Sequence, residues 1–293
     1  VKRESFSKHV NLALRGTALA PMVSFLSIKF SPWLGIATGL LVGFLLPPVA
    51  EHAHRVQNGM NLYSVGFSCG LLAMMMVPAF KAFGLNPASA HYWSTGNNVR
   101  LGIALTVLCL TFIISGLVRG PKPVLTKYWA LLRTSGRVPS DYVRTFTPGP
   151  VLVNMGINGL IATGYILITG GDLNGATIGA IFTIIGFSGY GKHAFNIVPV
   201  MAGVLLGSLT NHVDPNSSSL QLAGLFGTTL APFAGVFGWP FGMLAGLLHS
   251  SVVLQAGLPL EGMNLYNNGF SGGLVAIVLY PILTTVVKRR RPV

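Results

Sequence analysis

The stretch Leu274–Val287 reads LVAIVLYPILTTVV without one charged residue, and it is one of ten apolar runs in the chain. A bilayer core is crossed by about 20 apolar helical residues. In lipid, only helices and closed barrels pair every backbone N–H and C=O. Membrane strands read as short alternating segments, whereas these runs are continuous, so they predict helices. The ten spans are Gly16–Phe30, Trp33–Val49, Leu62–Ala82, Val99–Val118, Val151–Thr169, Leu173–Tyr190, Ala194–Leu209, Leu220–Phe237, Phe241–Leu258 and Met263–Val287. The first and sixth are short or interrupted, and either is a candidate partial span. Only 9% of the 293 residues are charged, against about 25% in a soluble domain, too few to keep a globule wet. An ordinary soluble enzyme, a disordered tail and a secreted disulfide scaffold are excluded. Cys69 and Cys109 sit inside apolar runs and make neither a disulfide framework nor metal-ligand spacing.

The formal charge of +13 raises nucleic acid as a partner, but the basic residues fall in loops. Arg119, Lys122, Lys127, Arg133, Arg137 and Arg144 face one acid, Asp141, in the linker 119–150. Lys2, Arg3, Lys8 and Arg15 mark the start, and Lys288, Arg289, Arg290 and Arg291 the end. Asp172, Asp214 and Glu261 lie in loops free of Lys and Arg. The positive-inside rule therefore places linker and C-terminus in the cytoplasm, and threading ten spans through these anchors meets no contradiction. The lipid bilayer is the expected partner and nucleic acid is not, since no aromatic-interleaved basic face accompanies the charge. Within the linker, Lys122–Leu132 mixes Lys with Tyr128 and Trp129. That suits either a short helix at the headgroup level or a solvated connector.

The chain is also internally duplicated. Gly16-Thr17-Ala18-Leu19-Ala20-Pro21 returns as Gly227-Thr228-Thr229-Leu230-Ala231-Pro232. A Gly-x-x-x-Gly span follows each, with Gly35 and Gly39, then Gly242 and Gly246. Gly59-Met60-Asn61-Leu62-Tyr63 with Gly66-Phe67-Ser68 returns as Gly262-Met263-Asn264-Leu265-Tyr266 with Gly269-Phe270-Ser271. An odd number of spans separates the copies, which predicts an inverted-topology repeat of the kind that transporters use. The expected fold is an all-α polytopic transmembrane bundle of about ten spans with glycine-rich helix breaks. Its expected divisions are 1–97 (first copy, incomplete at its N-terminus), 98–150 (an extra span and the basic linker) and 151–293 (second copy). Spans five to seven precede the second copy without a counterpart before the first, so at least three further N-terminal spans are expected.

Three groups of residues are candidates for solute chemistry. At the duplicated breaks, Asn61, Tyr63 and Ser64, with Asn264, Tyr266, Asn267 and Asn268, offer uncharged donors and acceptors where glycine lets the backbone open. The competing account is helix capping and tight packing of small residues. In the Gly-rich break Gly186–His193, Ser188, Lys192 and His193, followed by Asn196, could face an anion at a helix N-terminus. Lys192 reads more often as a positive-inside anchor than as a ligand. Thr228 precedes the helix-interrupting Pro232, and His249 is an ionisable group at span depth, a functional candidate by default. No span interior holds Asp or Glu, so a carboxylate relay is not expected. Neither catalytic residue, metal site nor cofactor is expected.

The stretches FTIIGFSGYGKHAFNIVPVMAGVLL (Phe182–Leu206), LFGTTLAPFAGVFGWPFGMLAGLLH (Leu225–His249) and GMNLYNNGFSGGLVA (Gly262–Ala276), with SGRVPSDYV (Ser135–Val143), carry a resemblance. On them the chain resembles an uncharacterised prokaryotic membrane-protein family, domain-of-unknown-function family 1576. The resemblance implies a multi-pass protein of a prokaryotic plasma (inner) membrane and no particular activity. Residues and repeat together point to a transporter or channel for a small polar or anionic solute, with a homo-oligomer as an open possibility. The rivals are a membrane-embedded enzyme using His193 or His249, and a non-transporting scaffold.

Overall fold

The computed structural model describes residues 10–87, 92–120 and 122–287. The basic anchors Lys2, Arg3, Lys8 and Lys288–Arg291 lie outside them. The described residues form helices and no strands. In chain order they are α1 (Val10–Gly16), α2 (Ala20–Lys29), α3 (Pro32–Val56), α4 (Ser64–Ala82), α5 (Asn98–Arg119), α6 (Val124–Leu131) and α7 (Tyr142–Phe146). There follow α8 (Pro148–Ile168), α9 (Gly175–Phe187), α10 (Ala194–Thr210), α11 (Ser218–Phe226), α12 (Ala231–Phe237), α13 (Trp239–Ala256) and α14 (Asn267–Val286). Starts follow local chemistry. Ser31 caps α3 by accepting from Leu34 N, with Pro32 at the first helical position. Asn174 and Thr177 form a reciprocal capping box on α9.

Six helical segments among the described residues are long and apolar enough to cross a bilayer: Pro32–Val56, Ser64–Ala82, Asn98–Arg119, Pro148–Ile168, Ser218–Phe237 and Asn267–Val286. The chain is thus an integral, multi-pass membrane protein in type. The other expected spans fold as α2, α9, α10 and α13. α9 has 13 residues and reaches only ~20 Å at 1.5 Å per residue. α13 is long enough, but His249, Ser250, Ser251 and Gln255 dilute its hydropathy. α5 presents Val99, Ile103, Val107, Leu110, Ile114 and Val118 outward, one stripe at helical spacing. An apolar stripe of this kind is what lipid requires.

Small residues set the closest helix contacts. A Cβ at Gly246 would lie 2.9 Å from the carbonyl carbon of Val200, and one at Gly203 would lie 2.8 Å from that of Met243. α10 and α13 therefore pack backbone to backbone, the packing that lipid-embedded helices favour because apolar side chains gain little by leaving lipid. In the linker, Val124–Leu131 is helical and α6 buries Tyr128 while leaving Trp129 half-exposed. Asp141 caps α7, accepting from Arg144 N at 3.1 Å.

Candidate solute-binding cavity

The duplicated blocks meet each other, and they do so reciprocally. Each Thr-containing block folds as a 3-10 turn, Thr17–Leu19 and Gly227–Leu230, in which the first threonine donates to a carbonyl three residues back: Thr17 to Leu14 O and Thr228 to Leu225 O. Leu62 N donates to Thr229 O at 3.0 Å, and Leu265 N donates to Ala18 O at 2.9 Å. Each Asn closes its own turn, with Asn61 Oδ1 accepting from Tyr63 N and Asn264 Oδ1 accepting from Tyr266 N, both at 3.1 Å. A Cβ on Gly66 would meet Gly269 Cα at 3.2 Å, and one on Gly269 would meet Gly66 Cα at 3.0 Å. Phe67 stacks on its equivalent Phe270, with ring centroids 5.8 Å apart and planes 18° from parallel. Glu261, just before α14, pairs with Lys81 at the end of α4. Arg137 bridges Asn58 O, before α4, to the Tyr280 hydroxyl near the end of α14. The start of each helix is thus tied to the end of the other, so α4 and α14 run antiparallel. Pro78 and Pro281 interrupt them at matching positions.

Beside this crossing lies a cavity of about 370 Å³ whose wall includes Arg15, Tyr63, Phe187, Phe226, Tyr266 and Asn268. Tyr63 and Tyr266 come from the two blocks, Arg15 from the last turn of α1, and Phe187 from the α9–α10 break. Tyr63 and Phe187 meet edge-to-face at 4.8 Å, and the Arg15 guanidinium sits 4.8 Å from the Phe187 centroid. Arg15 forms no ion pair among the described residues. Behind the same aromatic wall, Lys192 is completely buried. Its Nζ donates to the Tyr63 hydroxyl and to Thr228 Oγ1, the latter at 2.7 Å, and lies 4.4 Å from the Tyr63 ring centroid. A second, larger hollow is lined by Ser218, Leu222, Gly257, Glu261, Asn267 and Asn268. Asn268 belongs to both walls and is held by His249 Nε2 at 3.1 Å from its Oδ1.

Of the residues singled out from the sequence, Tyr63, Tyr266 and Asn268 surround the cavity, with Lys192, Thr228 and His249 directly behind them. Asn267 lines the second hollow. The others are turned into the protein. Asn61 Oδ1 accepts from Thr229 Oγ1 while its Nδ2 donates to Gln57 Oε1. Asn264 is buried, with its Nδ2 unpartnered. Ser64 is the exception, half-buried at the first position of α4, where its backbone carbonyl accepts from the Ser68 hydroxyl. Ser188 Oγ accepts from Asn158 Nδ2, Asn196 Nδ2 donates to Gly191 O, and His193 Nε2 meets Thr134 O at 3.0 Å. These last residues shape the break. Asn154 Nδ2 reaches across from α8 to donate to Ser188 O and Lys192 O, at 2.8 and 2.7 Å. Gly191 adopts φ +110° where its strand of chain lies against Gly136. Nearby in the linker, Tyr142 OH and Thr134 Oγ1 are 2.7 Å apart, and burial pushes the Tyr142 phenol up, so it stays a neutral hydrogen-bonding group.

Sequence reasoning missed Arg15 as a lining residue, along with the aromatic wall and the Asn154–Asn158 clamp. Arg15 carried a signal, since it stands one residue before the duplicated block, but a basic residue near a chain start reads first as a topological anchor. Asn154 and Asn158 are four apart within one apolar run, which places both on one helix face.

The family described as "Protein of unknown function (DUF1576)" matches residues 1–82 and 121–285. No curated protein and no solved structure matches the chain.

Proposed function

The chain belongs to the DUF1576 family, and from that premise we propose that it is a transporter or channel for a small polar or anionic solute. The observation that carries this reading is the pair of hollows sharing Asn268 as a common wall. Asn268 stands where the two hollows adjoin, and its side chain is held by His249. The proposed architecture is an inverted repeat. The reciprocal Leu62–Thr229 and Leu265–Ala18 bonds, the self-matched Gly66–Gly269 contact and the antiparallel run of α4 and α14 all support a two-fold axis perpendicular to the helices. In a bilayer that axis lies in the membrane plane. The proposed divisions are the first copy at 1–97, the span and linker at 98–150 and the second copy at 151–293. The linker 119–150 and the C-terminus are assigned to the cytoplasm of a prokaryotic cell by their basic residues.

The test is osmotic swelling of proteoliposomes in urea, glycerol and sodium benzoate gradients, followed by light scattering. Wild-type vesicles should swell faster than empty ones in at least one solute, and Asn268→Ala should accelerate that solute while Asn268→Leu slows it. Swelling equal to that of empty liposomes in all three, or rates indifferent to both substitutions, would refute the reading. For topology, a single cysteine at Arg133 should be protected from an impermeant thiol reagent in intact cells; its labelling would reverse the assignment.

A further inference from the structure

Resting on the reading that the cavity is a solute site, we infer that its ligand is a small organic anion with a flat apolar body, an aromatic carboxylate in its simplest form. Three observations converge on that class. The first is charge. Arg15 reaches the cavity wall with no carboxylate beside it among the described residues, and Lys192 lies behind the Tyr63–Phe187 pair with only hydroxyls as hydrogen-bond partners. An unpaired guanidinium in an apolar setting is costly, and an anion entering the cavity relieves it. The second is the guanidinium's place. Its carbon lies 4.8 Å from the Phe187 ring centroid, on the aromatic wall of the cavity, where it can meet a carboxylate with the two-pronged bond that guanidinium groups make.

The third is the wall itself. Tyr63, Phe187, Phe226, Leu265 and Tyr266 give an apolar, largely aromatic surround, unsuited to a small, strongly hydrated ion and suited to a ring that can stack. An aromatic cage of this kind otherwise attracts quaternary ammonium groups, but Arg15 in the wall repels them. At about 370 Å³ the cavity lies near the lower end of the ~300–1,000 Å³ seen for ligand sites, which restricts the body to a single small ring system. Thr183, Tyr190 and Asn268 add polar side chains to the lining, and the Thr183 hydroxyl donates to Gly179 O at 2.8 Å.

The experiment is calorimetric titration of the detergent-purified protein with benzoate, its neutral isostere benzamide, and benzylammonium. Because a hydrogen bond to a charged group contributes about 1.5–3 kcal/mol, benzoate should bind at least about tenfold tighter than benzamide, and benzylammonium should show no binding. Arg15→Gln should bring the acid-to-amide ratio to within about twofold, and Arg15→Lys, which keeps the charge but not the two-pronged bond, should retain part of it. Should Arg15→Gln fail to fold, Tyr266→Trp carries the test by crowding the cavity from its rim, with benzoate affinity falling about tenfold or more. Equal affinity for benzoate and benzamide, binding of benzylammonium, a ratio that survives Arg15→Gln, or unaltered affinity in Tyr266→Trp would each overturn the inference. Binding is read without flux, so the two proposals fail separately. Benzoate bound but not carried refutes transport alone, and urea flux without acid preference refutes the anion site alone.

Discussion

Asn61 and Asn264 occupy equivalent positions in the duplicated block, and alanine at each should have unequal consequences. Asn61 Oδ1 accepts from Tyr63 N and from the Thr229 hydroxyl, and its Nδ2 donates to Gln57 Oε1. Tyr63 N keeps a second acceptor, Thr229 Oγ1 at 2.9 Å, so Asn61→Ala strands two buried groups, the Thr229 hydroxyl and Gln57 Oε1. At about 1–3 kcal/mol for each stranded group, the loss is about 2–6 kcal/mol. Asn264 makes a single side-chain bond, to Tyr266 N, and its buried Nδ2 has no partner. Asn264→Ala therefore gives up one bond and removes one existing orphan, two effects of about 1–3 kcal/mol and opposite sign. The assay is thermal unfolding in detergent, read by a maleimide dye that reacts only when Cys69 and Cys109, both 0% exposed, become accessible. Asn61→Ala should melt several degrees below wild type and Asn264→Ala close to it. If both melt alike, the matched asparagines act through turn geometry alone, and the hydrogen-bond accounting is wrong.

The same dye assay distinguishes Gly246→Leu, which should prevent folding because α10 and α13 touch backbone to backbone there, from Gly43→Leu in α3, where a Cβ meets nothing within 4 Å. Asn154→Leu strands Ser188 O and leaves Lys192 O only the longer bond from Asn158 Nδ2 at 3.4 Å, a loss of about 1–3 kcal/mol, and should speed amide hydrogen exchange across Gly186–His193; unaltered exchange would show that the break is held from elsewhere. Phe67→Ala and Phe270→Ala should each cost about 3–5 kcal/mol, and the double variant should cost less than the sum because the rings stack on each other. Strict additivity would deny the coupling.

The membrane class and the helices were legible because lipid imposes a one-dimensional rule: long apolar runs must be helical and must pair their own backbones. That rule says little about how a run ends. The run Leu173–Tyr190 reads as a short or partial span ahead of a glycine-rich break, and α9 indeed stops at Phe187, where Asn154 offers the freed carbonyls of Ser188 and Lys192 a side-chain amide from another helix. The donor is 34 and 38 residues away, so no local pattern announces it. The duplication was legible for a different reason. Tyr63 and Tyr266 hold nearly the same backbone, φ −106° in both and ψ 44° and 52°, and an unusual local conformation demands the same residues wherever it recurs.

The candidate site shows the limit of that symmetry. Matching the copies drew attention to the asparagines, because they are the polar letters that repeat. The cavity between the copies is lined by matched residues, Tyr63 with Tyr266 and Gly66 with Gly269, and also by positions that the copies do not share. Arg15 aligns with Phe226, since each stands one residue before its duplicated Gly-Thr, and both line the cavity. One copy thus contributes the cation and the other an aromatic ring. Val65 aligns with Asn268, and only Asn268 meets both hollows. The shared letters Asn61 and Asn264 close their own turns instead. Residues that hold the two-fold scaffold must match between copies. Residues that recognise an asymmetric solute lying on the axis must differ, and the mismatched positions within matched blocks are therefore where the chemistry of such a site is written.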